Sequence, residues 1–130
     1  MRERRAAGFT LIELMIVMVL ITILAGIGFS LYTNSITRAK EAALTQNLVN
    51  MRKAIDEYYA DKGRWPADLQ TLVAEKYLRN IPPDITGSDD TWVTVYGEPD
   101  PGNPLSGGGI SDVKSGSDGV GFDGRRYADW

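Results

Sequence analysis

The chain has 130 residues, 43% of them hydrophobic and 24% charged, with a formal charge of −3 at pH 7. That is the length of one domain. It contains neither cysteine nor histidine, which excludes disulfides, Ser-His-Asp and Cys-His catalysis, and the commonest zinc ligand. An acidic balance without a basic patch argues against nucleic acid as a partner.

Arg2, Arg4 and Arg5 precede Gly8-Phe9-Thr10-Leu11-Ile12-Glu13 and a long apolar run. From Leu14 to Phe29 the only polar side chain is Thr22, and apolar character continues through Leu31 and Tyr32. As a helix, Phe9 to Tyr32 would be about 36 Å long, enough to cross a hydrocarbon core of about 30 Å. The arginines place the N-terminal end in the cytoplasm and the remainder on the far side of the membrane. Glu13 is the odd feature, because an ionisable group inside a membrane segment needs a partner or a task.

Three readings of this stretch compete. A cleaved secretory signal has an apolar region of roughly 7–15 residues; this run is longer, and Ala25-Gly26-Ile27-Gly28 is a poor A-x-A site. A plain signal anchor leaves Glu13 unexplained. The third is carried by Gly8-Phe9-Thr10-Leu11-Ile12-Glu13-Leu14-Met15-Ile16-Val17, which closely resembles the type III signal sequence of type IV pilins and type II secretion pseudopilins. The resemblance implies that a prepilin peptidase cuts between Gly8 and Phe9 and methylates the new amine of Phe9. It also implies that Glu13 pairs with that amine in a neighbouring subunit. The physics agrees, since a buried carboxylate costs several kcal/mol unless it is neutralised or paired. Loss of residues 1–8 would leave a chain of formal charge −5.

Phe9 to about Lys62 reads as one helix with two solvents. Its second half carries Leu44, Leu48, Met51, Ile55 and Tyr58 at spacings of 4, 3, 4 and 3, an amphipathic stripe. With only two heptads, packing onto the molecule's own globular domain is expected over a coiled-coil partner. Gly26 and Gly28, near Ser30, are expected to interrupt the helix, as a bend or a segment that unwinds. Gly63 and Pro66 stop it. Tyr58 to Pro66 also resembles the tyrosine, glycine and aromatic-proline ending of pilin-like helices. Asp68 caps a short helix over roughly Leu69 to Tyr77, with Leu69, Leu72 and Val73 inward. Pro82-Pro83 ends that region. Thr91 to Tyr96 is a strand, and Ile110 to Lys114 a second one paired antiparallel with it. Arg125 to Trp130 is a last strand or a packed tail anchored by Tyr127 and Trp130.

One loop has chemical content: Asp112-Val113-Lys114-Ser115-Gly116-Ser117-Asp118-Gly119. Its side chains are hard oxygen donors, and calcium takes about 6–8 oxygens. The other reading is a solvated turn held by Asx-type hydrogen bonds. It is not an EF-hand, since the ligand spacing and closing glutamate are missing. A small exported domain without disulfides makes a metal staple a reasonable expectation.

The run Gly109 to Gly119, with Tyr127-Ala128-Asp129-Trp130, looks like the C-terminal end of the type G major pseudopilins of type II secretion. That resemblance implies calcium held by Asp112, Ser115 and Asp118. The chain departs from the family pattern in two places. The loop between the aspartates is one residue shorter, and Asp84-Ile85-Thr86-Gly87-Ser88-Asp89-Asp90-Thr91-Trp92 stands where an Asp-Pro-Trp-Gly box is expected.

The fold implied is α+β and pilin-like: a leader at 1–8, a transmembrane and polymerisation half-helix at 9–33, and a periplasmic globular domain at 34–130. That domain holds a small antiparallel sheet and a calcium-type C-terminal loop. The function implied is structural, a major pseudopilin that homopolymerises from the inner membrane. Its partners would be prepilin peptidase, minor pseudopilins and the inner-membrane assembly platform. A type IV pilin is the alternative, serving adhesion, motility or DNA uptake. A membrane-anchored enzyme has little support: Asp112 and Asp118 would be its acid–base pair, on a surface glycine loop that is a poor place to tune a pKa.

Overall fold

The computed structural model describes residues 7–130; Arg2, Arg4, Arg5 and most of the expected leader lie outside them. The chain forms two compact units, one ending at Thr37 and one of Arg38–Trp130. Helix α1, Leu11–Lys62, contributes to both.

In the first unit the apolar side chains of α1 are exposed on every side, from Leu11 at 79% to Tyr32 at 64%. An 18-residue window here reaches a mean hydropathy of 2.7 with none of it buried. Several hydroxyls bond back within the helix: Thr22 Oγ1 donates to the Met18 carbonyl at 2.8 Å, and Ser35 Oγ to that of Leu31 at 2.8 Å. The expected interruption at Gly26 and Gly28 is absent, because α1 runs unbroken through both. A helical glycine costs only about 1 kcal/mol relative to alanine, and no proline removes a backbone donor here.

The second unit is built on the stripe. Leu44, Leu48, Met51, Ile55 and Tyr58 are all buried. Leu69, Leu72, Trp92, Ile110, Val113 and Tyr127 complete the same cluster. The helix stops where the chain turns left-handed at Gly63 (φ 68°), whose N–H bonds the Tyr59 carbonyl at 2.8 Å. Asn103 Nδ2 then donates to the Gly63 carbonyl at 2.7 Å. Trp65 and Pro66 follow, seated against Gly109, where a Cβ would lie 2.5 Å from the Trp65 carbonyl oxygen.

Helix α2, Leu69–Ala74, is capped by Asp68, whose carboxylate accepts from the Thr71 hydroxyl and N–H at 2.7 Å each. Those bonds hold the Asp68 carboxyl below its ordinary value. The helix ends short of the expected Tyr77. Lys76 turns left-handed (φ 65°), and the N–H groups of Tyr77 and Leu78 close back on the Leu72 carbonyl. Tyr77 then packs edge-on against Tyr58. Its hydroxyl donates to Asp61 at 2.7 Å, which helps push the phenol up to about 12.

Strands β1, Val93–Tyr96, and β2, Ile110–Lys114, pair antiparallel. The register runs from Val93↔Lys114 to Val95↔Asp112, then slips at a bulge to Tyr96↔Ile110. The indole N–H of Trp92 donates to the Pro82 carbonyl at 2.8 Å, tying the strand entry to the proline pair. The tail is packed, not a strand. Tyr127–Asp129 forms a 3-10 turn, and Tyr127 and Trp130 meet edge-to-face at 5.2 Å. The Tyr127 hydroxyl donates to Glu41 Oε1 at 2.8 Å. Burial, then that carboxylate, raise the Tyr127 pKa above its ordinary 10.0.

Two outcomes follow. Met51→Ala empties a fully buried position and should cost about 2–5 kcal/mol, read from a denaturant midpoint. A phenol whose pKa is raised by folding contributes stability below its ordinary pKa and loses it as pH climbs through the folded value. Tyr127→Phe should therefore be less stable than the parent at neutral pH, and the gap should close above about pH 10, followed by tryptophan fluorescence.

Candidate assembly segment and C-terminal loop

Gly8 and Phe9 lie ahead of α1, outside the helix, and Phe9 is 81% exposed. Gly8 is exposed as well. Immediately behind, Thr10 and Glu13 cap the helix reciprocally. The Glu13 N–H donates to Thr10 Oγ1 at 3.2 Å, and the Thr10 N–H donates to Glu13 Oε2 at 3.4 Å. This is a capping box, whose threonine-to-glutamate spacing is legible in Thr10-Leu11-Ile12-Glu13. The arrangement turns the carboxylate back toward the N-terminal end of α1, where the free N–H groups and the helix dipole favour negative charge. That is also the end at which cleavage after Gly8 would create an amine.

At the other end of the chain, Asp112, Ser115 and Asp118 have three different surroundings. Asp112 Oδ1 accepts from Arg52 Nε at 2.8 Å and from the Val113 N–H at 2.7 Å. A terminal nitrogen of the same guanidinium also donates to the Val113 carbonyl at 3.0 Å and to the main-chain oxygen of Trp130 at 2.7 Å. Ser115, 1% exposed, donates its hydroxyl proton to Asp84 Oδ1 at 2.6 Å and accepts from the Ser117 N–H at 3.2 Å. Asp118 is exposed, and its carboxylate has no ion-pair or hydrogen-bond partner among the described residues.

For Asp112 and Ser115 the reason is geometric: along an extended chain, side chains three positions apart leave from opposite faces. Asp118 lies beyond the end of β2, in the turn. The donors as placed do not fit a divalent cation. A guanidinium already occupies the cationic place at Asp112, and Ser115 is committed to another carboxylate. Among the described residues, no three acidic side chains are grouped together. The turn reading does have its bonds, from the N–H of Ser117 to Ser115 Oγ and from that of Gly119 to Ser117 Oγ, both at 3.2 Å.

The residue that sequence reasoning missed is Asp84. It is 4% exposed and its carboxylate accepts four hydrogen bonds. Oδ1 takes the Ile85 N–H and the Ser115 hydroxyl; Oδ2 takes the Thr91 hydroxyl and the Gly116 N–H, both at 2.9 Å. Gly116 is obligatory, since a Cβ there would collide with the Thr91 carbonyl. The sequence signal was only a turn: Asp84 follows Pro83, and Gly87 turns left-handed (φ 92°) to bond the Asp84 carbonyl. Nothing local says that the carboxylate points inward.

Comparison with known proteins agrees with the head of the chain and extends beyond it. The Prokaryotic N-terminal methylation motif matches residues 4–30. Fimbrial protein EcpC of Eikenella corrodens is 37% identical over 87 residues, which is 63% of this chain and 57% of that relative. Type II secretion system core protein G of Klebsiella michiganensis is 29% identical over 136 residues, 92% of this chain and 89% of the relative. The core protein G of Klebsiella pneumoniae is 30% identical over 102 residues, 66% of this chain and 73% of the relative. No solved structure matches the chain. A methylation motif at the start of an apolar helix, joined to a globular unit whose likeness continues into core protein G, means that the chain belongs to the type IV pilin-like family, which takes in the fimbrial pilins and the type II secretion core proteins G.

Proposed function

We propose that the chain is the major pseudopilin of a type II secretion system. It is a structural subunit that polymerises from the inner membrane into a short filament and helps drive folded proteins across the outer membrane. One observation carries the reading. The alignment with a core protein G takes in 92% of this chain and 89% of that relative, whereas the fimbrial likeness covers 57% of EcpC. Members of the family are structural, are processed by prepilin peptidase and polymerise into filaments.

In this reading the peptidase cuts between the exposed Gly8 and Phe9 and methylates the Phe9 amine. Residues 9–33 cross the inner membrane once, and the globular unit stands in the periplasm. Glu13 meets the Phe9 amine of the next subunit, exchanging its contact with Thr10 for a full positive charge. That pairing sets the axial offset between copies, because an unpaired carboxylate in lipid is strongly disfavoured. Minor pseudopilins and the inner-membrane assembly platform are the remaining partners. A type IV pilin is the second reading, favoured by the 37–39% identities to fimbrial proteins and to Neisseria gonorrhoeae pilin.

The deciding experiment expresses the chain in a type II secretion strain that lacks its own core protein G. Restored release of a folded exoprotein is expected, with the purified subunit beginning at a methylated Phe9. Long surface fibres without secretion would make the chain a pilin, and an intact Met1 would remove the polymer reading. In the same strain Glu13→Leu should still insert and be cleaved, while sheared filament falls at least ~tenfold. Wild-type filament yield from that variant would count against the pairing.

A further inference from the structure

A bound cation in a small domain ties distant stretches of backbone together. In this chain protein groups already make those ties. The Asp84 carboxylate joins the 84–91 loop to Ser115 and Gly116 across about thirty positions of sequence. Arg52, on α1, joins the end of β2 to Trp130 through Asp112, the Val113 carbonyl and the main-chain oxygen of Trp130. Glu41, one stripe neighbour earlier on α1, takes the Tyr127 hydroxyl and the Phe122 N–H, the latter at 3.1 Å. Between these anchors the loop closes on itself, from the Tyr127 N–H to the Gly119 carbonyl and from the Gly121 N–H to that of Arg125. The C-terminal segment is thus fastened to α1 and to the 84–91 loop by protein groups alone.

We infer that Asp84 and Arg52 hold the C-terminal segment in place of the calcium ion implied by the type G resemblance, so that the globular unit folds without a divalent cation. The two departures from the family pattern belong together on this account. The loop between Asp112 and Asp118 is short, and the segment that lacks the Asp-Pro-Trp-Gly box supplies a buried carboxylate instead. Asp84 suits the task because all its bonds come from uncharged donors, two N–H groups and two hydroxyls. A carboxylate that accepts several such bonds is stable when buried. Arg52 suits it because one planar guanidinium serves three acceptors at once. A cation seated at Asp112 would face that guanidinium at contact distance, and like charges so close in a half-buried site repel strongly. The inference concerns folding of the globular unit and holds for pseudopilin and pilin alike.

The test is thermal melting of the full-length processed chain in detergent micelles, with excess calcium or excess EGTA. Tryptophan fluorescence is the readout, since all three tryptophans, Trp65, Trp92 and Trp130, lie in the globular unit. The two wild-type midpoints should coincide within about 1 °C. Ser115→Ala, and more severely Asp84→Asn, should lower the midpoint by about 5–15 °C, equally in both buffers. Asn is the sharper probe because its NH2 must face one of the donors that Asp84 now accepts. Asp118→Ala should stay within about 2 °C of wild type. The inference is overturned if EGTA alone lowers the wild-type midpoint by about 5 °C or more and Asp118→Ala reproduces the loss. It is also overturned if both Asp84→Asn and Ser115→Ala melt like the parent. The wild-type comparison stands even if Asp84→Asn fails to fold.

Discussion

The buried stripe of α1 is the surface on which the globular unit is assembled. A two-stranded sheet is marginal in water by itself, and β1 and β2 offer one buried face, through Ile110 and Val113. The face of α1 from Leu44 to Tyr58 supplies the other side of that core, with Leu72 and Trp92 filling the ends. The polar side chains that border the stripe matter as much. Glu41 and Arg52 project beside it and are the points at which the last twenty residues are fastened. One helix therefore provides both the apolar floor and the polar cleats.

A chain with no cysteine has to restrain its loops by other means. A disulfide typically contributes about 2–4 kcal/mol, and a hydrogen bond to a charged group about 1.5–3. A carboxylate with four donors is comparable only if its desolvation is fully offset, which is why the satisfaction of Asp84 is the telling feature. Both oxygens carry two bonds, and the residue is almost wholly buried. Gly116 shows how closely the two strands of backbone approach at this junction.

In the first unit the same helix obeys different rules. Apolar side chains all round leave no solvated face, so its natural surroundings are lipid or other helices of the same kind. Every interior backbone group is bonded within the helix, and hydroxyls such as Thr22 bond back to the preceding turn. Among the described residues of this unit the one carboxylate, Glu13, is placed in the first turn, where the helix N-terminus can hold it. That acid caps its own helix, and in the proposed filament the same side chain would meet the amine of the next copy.

Periodicity and punctuation in the sequence were enough to specify the elements. The 4-3-4-3 stripe, the stop at Gly63, the cap at Asp68 and the limits of β2 depend on local geometry, repeating every 3.6 or 2 residues, so they were legible. The membrane run and its signal were legible for the same reason, because composition alone sets the solvent. The C-terminal loop was not. Asp112, Ser115 and Asp118 are neighbours in sequence, but an extended backbone sends the first two to opposite faces and to partners far away. Asp84 became the centre of that region through contacts across 31 residues, and no spacing rule announces a contact of that range. Only the packed chain decides which carboxylate turns inward, because burial is tolerated where donors from several segments converge, and convergence is a property of the tertiary fold.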